Sequence, residues 1–308
     1  MKTTGRPLGP YLVVAGATAV GKSAVALEVA DRVGGEIVIA DSRQVFRGID
    51  IATAKPSPSE RKRVRHHLLD RIGIGTPYSA ADYARDARAA IADIQSRGGT
   101  AIVCGGTGFY LAALAGGLDP VTGHAPSAER RAARARLRSI PAERRHAALA
   151  TVDPASARRL HPNDRQRVSH ALETYYLAGE PLSALQTGGG ALLAHCAVRL
   201  TRSRAETQGR IAARLGAMLA AGLEEEARLL WEAGHSPTEP GLQTIGIQEW
   251  WPFFRGAATR EATCGAILAA TRAYAKRQET WFRNQGDYRP VPAADGAAGV
   301  LAVWEVNR

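Results

Sequence analysis

The chain has 308 residues, of which 45% are hydrophobic, so it can form one large core and a smaller second unit. Its formal net charge of +11 favours a polyanionic partner such as a nucleic acid, although a generally basic proteome would produce the same sign. The N-terminus lacks the apolar segment of a signal peptide and no apolar run reaches membrane-spanning length, so we expect a cytoplasmic protein that does not cross a membrane.

The first predicted elements surround a glycine-rich motif. The segment Gly16-Ala17-Thr18-Ala19-Val20-Gly21-Lys22-Ser23 fits the phosphate-binding loop pattern, in which Gly and four residues precede Gly-Lys-Ser. An apolar run over 11–14 predicts a strand before it, and the period of Val25, Val29 and Val33 predicts a helix over 24–33. This context makes a chance glycine turn a poor explanation. The loop therefore predicts a phosphate site, with Lys22 reaching a terminal phosphate and the Ser23 hydroxyl binding Mg²⁺.

The second predicted strand covers 36–40, and Asp41 follows it directly. Ligands of open α/β sheets bind beyond the carboxyl ends of the strands, so Asp41 is expected to face the phosphate loop. Residues 42–55 show no helical or strand period, and we interpret them as a functional loop.

A second glycine turn follows the next strand. Ser79 and Asp82 predict a capping box at the start of a helix that ends before Gly98. A strand over 100–104 then leads into Gly105-Gly106-Thr107-Gly108. This turn indicates a second ligand group beside the phosphates, and a purely structural turn remains the alternative.

The composition changes between residues 116 and 195. Residues 120–170 carry eleven arginines against four carboxylates, an excess of seven that makes up most of the net charge. The segment is rich in Ala, Arg and Leu, which predicts a helical insertion ending near Gly188-Gly189-Gly190. We interpret it as a unit that grips a nucleic-acid backbone, with an ordinary solvated helix surface as the alternative.

The C-terminal part returns to the first unit. We predict a strand over 196–200, one helix over 210–230, buried tryptophans at 250 and 251, a long helix over 260–285 with Tyr274 on its apolar stripe, and an edge strand over 299–306. Arg210 and Arg214 share a helix face, which suits either solvation or anion binding. Three widely spaced cysteines, Cys104, Cys196 and Cys264, indicate buried reduced thiols rather than a metal site.

These elements predict an α/β fold, a P-loop NTPase-like parallel sheet flanked by helices. The core is expected to comprise 1–115 and 196–308, and the helical insertion 116–195. The guanine-recognition signature of GTPases is absent. A small-molecule kinase or an RNA-linked NTPase that binds ATP, with Asp41 holding Mg²⁺, stays open, as does a non-catalytic RNA-binding module.

Eight segments, taken in order, resemble the tRNA dimethylallyltransferase (tRNA isopentenyltransferase) family. They are Asp41-Ser42-Arg43-Gln44-Val45-Phe46, Gly48-Ile49-Asp50-Ile51, Thr53-Ala54-Lys55-Pro56, His66-His67-Leu68-Leu69-Asp70, Gly105-Gly106-Thr107-Gly108-Phe109-Tyr110, Gln166-Arg167-Val168, Thr244-Ile245-Gly246 and Thr271-Arg272-Ala273-Tyr274-Ala275-Lys276-Arg277-Gln278. The resemblance extends over residues 11 to about 285. Departures occur at Ala17, Phe46 and Ile247-Gln248, where the family usually has Pro, Tyr, and Tyr followed by Lys or Arg.

The resemblance implies transfer of a dimethylallyl group from its diphosphate to N6 of adenosine 37 in the tRNA anticodon stem-loop, with Mg²⁺ as the cofactor. The oligomeric state is open, and a monomer is the default expectation. The resemblance also implies diphosphate binding by residues 16–23 with Arg210 or Arg214, and catalysis by Lys22, Asp41 and Thr107. Asp41 would be the base, and Thr107 a hydrogen-bond partner at the reacting centre. The tRNA contacts it implies are Asp41, Ser42, Arg43, Gln44, Thr107, Glu129, Gln166, Arg167, Val168, Ser169 and His170.

Overall fold

The computed structural model describes residues 9–116, 127–185 and 195–307. They divide into two compact units. The first unit takes in residues up to 78, 86–111 and those from 193 onward, and the second takes in 79–85 and 112–192. The predicted glycine run 188–190 lies outside the described residues.

The first unit contains a six-stranded sheet in the order β3-β2-β4-β1-β5-β6, and every pair of neighbouring strands is parallel. The predicted α/β class and parallel sheet are therefore confirmed. The strands are β1 (Tyr11–Ala15), β2 (Gly35–Ile39), β3 (His66–His67), β4 (Thr100–Gly105), β5 (His195–Thr201) and β6 (Arg289–Pro292). The short strand β3 had no sequence signal, because two residues are too few to show a period.

Helices cover the sheet and build a second apolar core. The helices of the first unit, in chain order, are α1 (Lys22–Val33), α2 (Pro58–Arg63), α3 (Ala80–Ser96, shared with the second unit), α4 (Gly108–Leu114, also shared), α10 (Arg204–Ala220), α11 (Leu223–Glu232), α12 (Trp251–Phe254), α13 (Arg260–Asn284) and α14 (Gly296–Asn307). The sheet core contains β1, β2, β4 and α1, and the second core collects apolar side chains around Trp250 and Trp251. Both tryptophans are buried, as predicted.

The helices of the second unit pack on each other. They are α5 (Ser127–Arg138), α6 (Arg145–Val152), α7 (Pro154–Arg159), α8 (Arg165–Ala178) and α9 (Leu182–Leu185). Leu149, Val168 and Leu172 are central to their shared core. Asp153 caps α7 by accepting the Ser156 N–H at 2.9 Å, and it also accepts a hydrogen bond from the Ser183 hydroxyl at 2.6 Å.

Two predicted elements were wrong. Residues 299–306 form part of α14 and not an edge strand, because Ala297, Val300 and Trp304 bury one helical face. The edge strand is β6, which the sequence analysis missed. The single helix predicted over 210–230 is two helices, because Gly222 takes a left-handed φ of 98° between α10 and α11.

Candidate active site

The phosphate loop leaves β1 and enters α1, and the backbone N–H groups of Gly21, Lys22 and Ser23 have no hydrogen-bond partner among the described residues. Gly16 and Gly21 have φ of 146° and 110°, and Ala19 adopts a left-handed φ of 63°. Gly21 precedes the first helical residue, and no side chain caps the N-terminus of α1. The first N–H groups of a helix have no partner within the helix and attract anions. Loop and helix together therefore form the anion-binding arrangement that the motif predicted.

Lys22 is a desolvated cation inside this loop. Its Nζ donates to the carbonyl oxygen of Ala17 at 2.7 Å. Burial lowers the pKa of Lys22 from its ordinary value of 10.5 to about 8, while Cys104 and Asp41 partly oppose this and Arg214 adds to it. No carboxylate of the described chain lies within ion-pair distance of the ammonium. A bound anion would supply the missing counter-charge.

Three arginines approach the same loop from the segment after β5. Arg210 Nε donates to the Ala19 carbonyl at 2.7 Å, and Arg202 Nε donates to the Val20 carbonyl at 3.3 Å. Burial lowers the pKa of the half-buried Arg214, and the charge of Asp41 raises it in part. Arg210 is therefore held on the loop backbone, whereas Arg214 lies deeper and has no carboxylate partner in the described residues. Arg202 was missed, although its position directly after a strand could have indicated it.

Asp41 lies where the sequence placed it, directly beyond β2 and Ala40. Its Oδ1 accepts the backbone N–H of Arg43 at 2.8 Å, a local turn that fixes the carboxylate. The neighbouring Arg43 guanidinium donates to the Pro240 carbonyl at 2.8 Å instead of pairing with this carboxylate. The negative charge of Asp41 raises the pKa of Lys22, Arg214 and Tyr274, so these three side chains lie close enough to Asp41 to interact with it electrostatically.

The second glycine turn is a junction between neighbouring strand ends. Thr107 N–H donates to the Ala40 carbonyl at 3.2 Å, and Thr107 Oγ1 accepts the Ser42 N–H at 3.0 Å. A Cβ at Gly105 would lie 2.0 Å from the Ala40 oxygen, so the backbones are in direct contact there. Thr107 is thereby tied to the segment that carries Asp41. The close approach of the Gly105 and Ala40 backbones leaves no room for a side chain, so the turn requires glycine there for steric reasons as well as for reversing the chain.

The helix α13 supplies two site residues that the sequence analysis did not identify. Burial is the main cause that raises the pKa of Tyr274 to about 12, and the neighbouring Thr107 side chain lowers that pKa in part. Gln278 is buried and contacts both glycine loops. Tyr274 was predicted as part of an apolar stripe. Its four-residue spacing from Gln278 on one helix face was the available signal.

The predicted RNA contact Gln44 is engaged inside the first unit. It is buried, and its Nε2 donates to the carbonyls of Thr53 and Ala54 at 3.0 and 3.2 Å. Lys55 further fixes this loop through Nζ, which is 2.6 Å from carboxylate oxygens of Asp50 and Asp70. The loop over 42–55 is thus built around internal polar contacts, with Ser42 and Arg43 at its start beside Asp41.

The second unit exposes most of its arginines. Some have partners: Arg134 pairs with Glu173 at 2.9 Å, and Arg136 stacks over Tyr176 at 4.8 Å. Others are exposed and have no carboxylate partner within the described ranges, and these are Arg131, Arg138, Arg144, Arg158 and Arg165. The predicted contact Glu129 is exposed in the first turn of α5. Such unpaired cations suit contact with a polyanion.

The predicted contact segment 166–170 begins α8. Gln166, Arg167 and His170 are exposed, and Ser169 Oγ accepts a hydrogen bond from Arg145 at 3.2 Å. Val168 is buried in the unit's core, so its side chain supports the segment from inside.

Two properties of the described residues bear on the metal and membrane predictions. Within 9–116, 127–185 and 195–307, no three His, Cys, Asp or Glu side chains come together as a metal-binding group. In the same ranges, every helix is too short or too polar to traverse a bilayer.

Comparisons with known proteins agree with each other. Residues 44–285 match the family model described as IPP transferase. The chain is 46% identical over 287 residues to the tRNA dimethylallyltransferase of Halorhodospira halophila, covering 90% of this chain and 91% of that protein. It is similar to the crystal structure of the full-length tRNA isopentenylpyrophosphate transferase from Bacillus halodurans, with TM-score 0.68, 30% identity and coverage of 96% and 98% of the two chains. A eukaryotic dimethylallyltransferase studied while acting on tRNA matches with TM-score 0.79 and 28% identity over 97% of this chain and 76% of that one.

Proposed function

The chain belongs to the IPP transferase family, and from this we propose that it transfers a dimethylallyl group from dimethylallyl diphosphate to N6 of adenosine 37 in tRNA. The family supports a prenyl transfer to tRNA. The donor, the target atom and the roles of individual residues are proposed from the geometry of the first unit.

The phosphate loop is proposed to hold the diphosphate of the donor. The allylic C1–O bond breaks with charge separation, so the main requirement is to stabilise the leaving diphosphate. The open N–H groups of α1, the desolvated Lys22 ammonium and the Arg214 guanidinium supply this stabilisation. Arg214 is assigned this contact because it has no carboxylate partner in the described chain, whereas Arg210 Nε is engaged with the Ala19 carbonyl.

Ser23 is the proposed protein ligand of Mg²⁺. Its hydroxyl has no hydrogen-bond partner among the described residues, and it lies in the first turn of α1 beside Lys22. Mg²⁺ in proteins commonly keeps several waters and uses few side chains together with substrate phosphates, so a site without a cluster of carboxylates suits it. When bound, the ion would neutralise part of the charge on the leaving diphosphate.

Asp41 is the proposed base on the acceptor side. As N6 attacks C1, the C1–O bond breaks, diphosphate leaves, and the N6 proton passes to a carboxylate oxygen of Asp41. Thr107 Oγ1, oriented by the Ser42 N–H and close to Tyr274, is the proposed hydrogen-bond partner of the adenine amino group. The carboxylate is available for this role because no lysine or arginine in the described chain forms an ion pair with it.

The second unit is proposed to bind the anticodon stem-loop. Its exposed arginines would contact phosphates, and Glu129, Gln166, Arg167 and His170 would contact nucleotides of the loop. Single-stranded loop bases are the least costly to unstack, which suits a reaction at a base edge. We propose a monomer that works in the cytoplasm, with residues 116–195 as its RNA-binding domain.

The observation that carries the proposal is the placement of Asp41 and Thr107 beside the phosphate loop, joined through the Ala40 carbonyl and the Ser42 N–H. The test is incubation with unmodified tRNA, dimethylallyl diphosphate and Mg²⁺ without ATP, followed by mass mapping of tRNA fragments. We expect one dimethylallyl group on adenosine 37. An unmodified tRNA together with ATP hydrolysis in a parallel reaction would instead support an NTPase.

A further inference from the structure

Gln278 joins the two glycine loops of the first unit through a single side-chain amide. Its Oε1 accepts the backbone N–H of Thr18 at 2.8 Å, and its Nε2 donates to the Gly106 carbonyl at 2.8 Å. The residue is 7% exposed and lies on α13, far in sequence from both partners. The amide thus links the phosphate loop after β1 to the turn after β4.

The amide is matched to both loops in shape and polarity. A Cβ at Gly106 would lie 2.3 Å from Nε2, so the side chain fills the space that glycine leaves open. A neutral amide can accept on one side through its oxygen and donate on the other through its nitrogen. A carboxylate would face the Gly106 oxygen without a proton and would place negative charge beside the anion site.

Each partner belongs to a different half of the reaction. Thr18 lies within the phosphate loop, where Ala19 is held at a left-handed φ of 63°. Gly106 directly precedes Thr107, whose position relative to Asp41 depends on two hydrogen bonds, one from its N–H to the Ala40 carbonyl and one from the Ser42 N–H to its hydroxyl. A shift of the amide would therefore move donor and acceptor groups relative to each other.

We propose that Gln278 is a positioning residue that keeps the diphosphate loop and the Thr107 turn in register, so that a seated donor meets a correctly placed acceptor group. The proposal rests on the proposed function for the identity of the two ligands. The alternative is that the amide only stabilises the fold. The two hypotheses make different predictions, because a contact that only stabilises the fold would not change the effect of Thr107 on turnover.

The test compares Gln278→Met and Gln278→Glu with changes at Gln95, a matched control. The Gln95 amide also accepts a backbone hydrogen bond and donates to the backbone, but its partners lie together in the short segment directly before β1. It accepts the Gly9 N–H and donates to the Gly9 carbonyl, both at 3.0 Å, away from the site. The measurements are kcat and KM for dimethylallyl diphosphate at saturating tRNA, the Kd for inorganic diphosphate, the Kd for tRNA, and thermal unfolding.

We expect Gln278→Met to lower kcat about tenfold or more and to weaken inorganic diphosphate binding several-fold, because misplacement of reacting groups is costly. Gln278→Glu should weaken diphosphate binding further through charge repulsion, which keeps the test informative if one variant folds poorly. The tRNA Kd should stay unchanged, and Gln95→Met should leave kcat and KM unchanged.

A double-mutant cycle on kcat with Thr107→Ala separates positioning from stability. If Gln278 acts through Thr107, the loss from Thr107→Ala should be smaller in the Gln278→Met background. Additive losses, or a lower unfolding temperature with normal kcat and KM, would overturn the proposal. If the wild-type protein fails to modify tRNA while Gln278→Met still weakens diphosphate binding, the proposed function is wrong. The role of Gln278 in positioning the phosphate loop is then still supported.

Discussion

The two units of the molecule treat charge in opposite ways. In the first unit, Lys22, Arg214 and Tyr274 are partly buried, and burial shifts the pKa of each. In the second unit, most arginines are exposed, and several have no carboxylate partner among the described residues. A partly buried group interacts strongly with one neighbouring group or bond, because little water screens its charge. Exposed cations attract a polyanion through many weak interactions, and salt screens these. The contrast is what the proposal requires, in which bond-making belongs to the first unit and RNA affinity to the second.

Among the substitutions that test this division of roles between the two units, Asp41→Asn is expected to have the largest effect. Asparagine keeps the size and can still accept the Arg43 N–H, but it cannot take the N6 proton. We expect kcat to fall about 10²- to 10⁴-fold, the usual contribution of a general base. The tRNA Kd, measured by filter binding, should stay within about twofold if affinity resides in the second unit. A collapse of tRNA affinity with normal turnover per complex would remove the assignment of Asp41 as base.

The next test is Lys22→Met, which keeps the length of the side chain and removes its charge. Without this charge-assisted hydrogen bond, inorganic diphosphate should bind about ten- to hundredfold more weakly by calorimetry. The ligand-free protein should be no less stable, since the lowered pKa means that the charged lysine opposes folding at neutral pH. A large fall in the unfolding temperature of the ligand-free variant would contradict this, because it would make the lysine a structural group.

The third test removes charge from the second unit. The triple change of Arg131, Arg158 and Arg165 to Gln should lower tRNA affinity and flatten its salt dependence. Each arginine that no longer neutralises a phosphate reduces the slope of log K against log salt by about 0.7 to 0.9. The control is a triple change to Gln at Arg32, Arg65 and Arg97 of the first unit, which are exposed but ion-paired. Equal slopes for the two triples would remove the second unit from the RNA interface.

The smallest effect concerns pH. With a pKa of about 8, the Lys22 ammonium loses its proton as the pH rises through that value. Diphosphate affinity should therefore fall about threefold to fourfold between pH 7 and pH 8.5, and the Lys22→Met variant should lack this component. In the ligand-free protein the sign is opposite. Stability should rise between about pH 8 and pH 10.5, because the unfolded chain still binds the proton that the folded chain has lost.

Local sequence signals predicted the elements whose chemistry depends on adjacent residues. The phosphate loop, the position of Asp41 after β2 and the Thr107 turn were all visible, because each combines a strand end with glycines or a carboxylate. Tyr274 and Gln278 were not recognised as site residues, because their partners lie more than 160 residues away in sequence. Only the pairing of β1 with β4 brings those partners together.

The errors in the fold have a similar origin. Residues 299–306 are apolar enough for a strand, and only packing against the sheet shows that a helical face is buried. The role of Gln44 as an RNA contact stays a prediction, but the burial of its side chain was not visible in the motif, because it depends on the way the 42–55 loop closes on itself. In both cases tertiary contacts decided between local alternatives that the sequence left open.

Whether the phosphate loop binds a diphosphate donor or a nucleotide can be read from one crystal structure of the protein, with a non-reactive thio analogue of dimethylallyl diphosphate, a non-hydrolysable ATP analogue and Mg²⁺ supplied together. We predict a diphosphate group held by the loop over 16–23, with Lys22 and Arg214 in contact and the prenyl carbon directed toward Asp41. A nucleotide in that loop, with its γ-phosphate bound to a magnesium ion on Asp41, would contradict the assignment of the loop to a prenyl diphosphate.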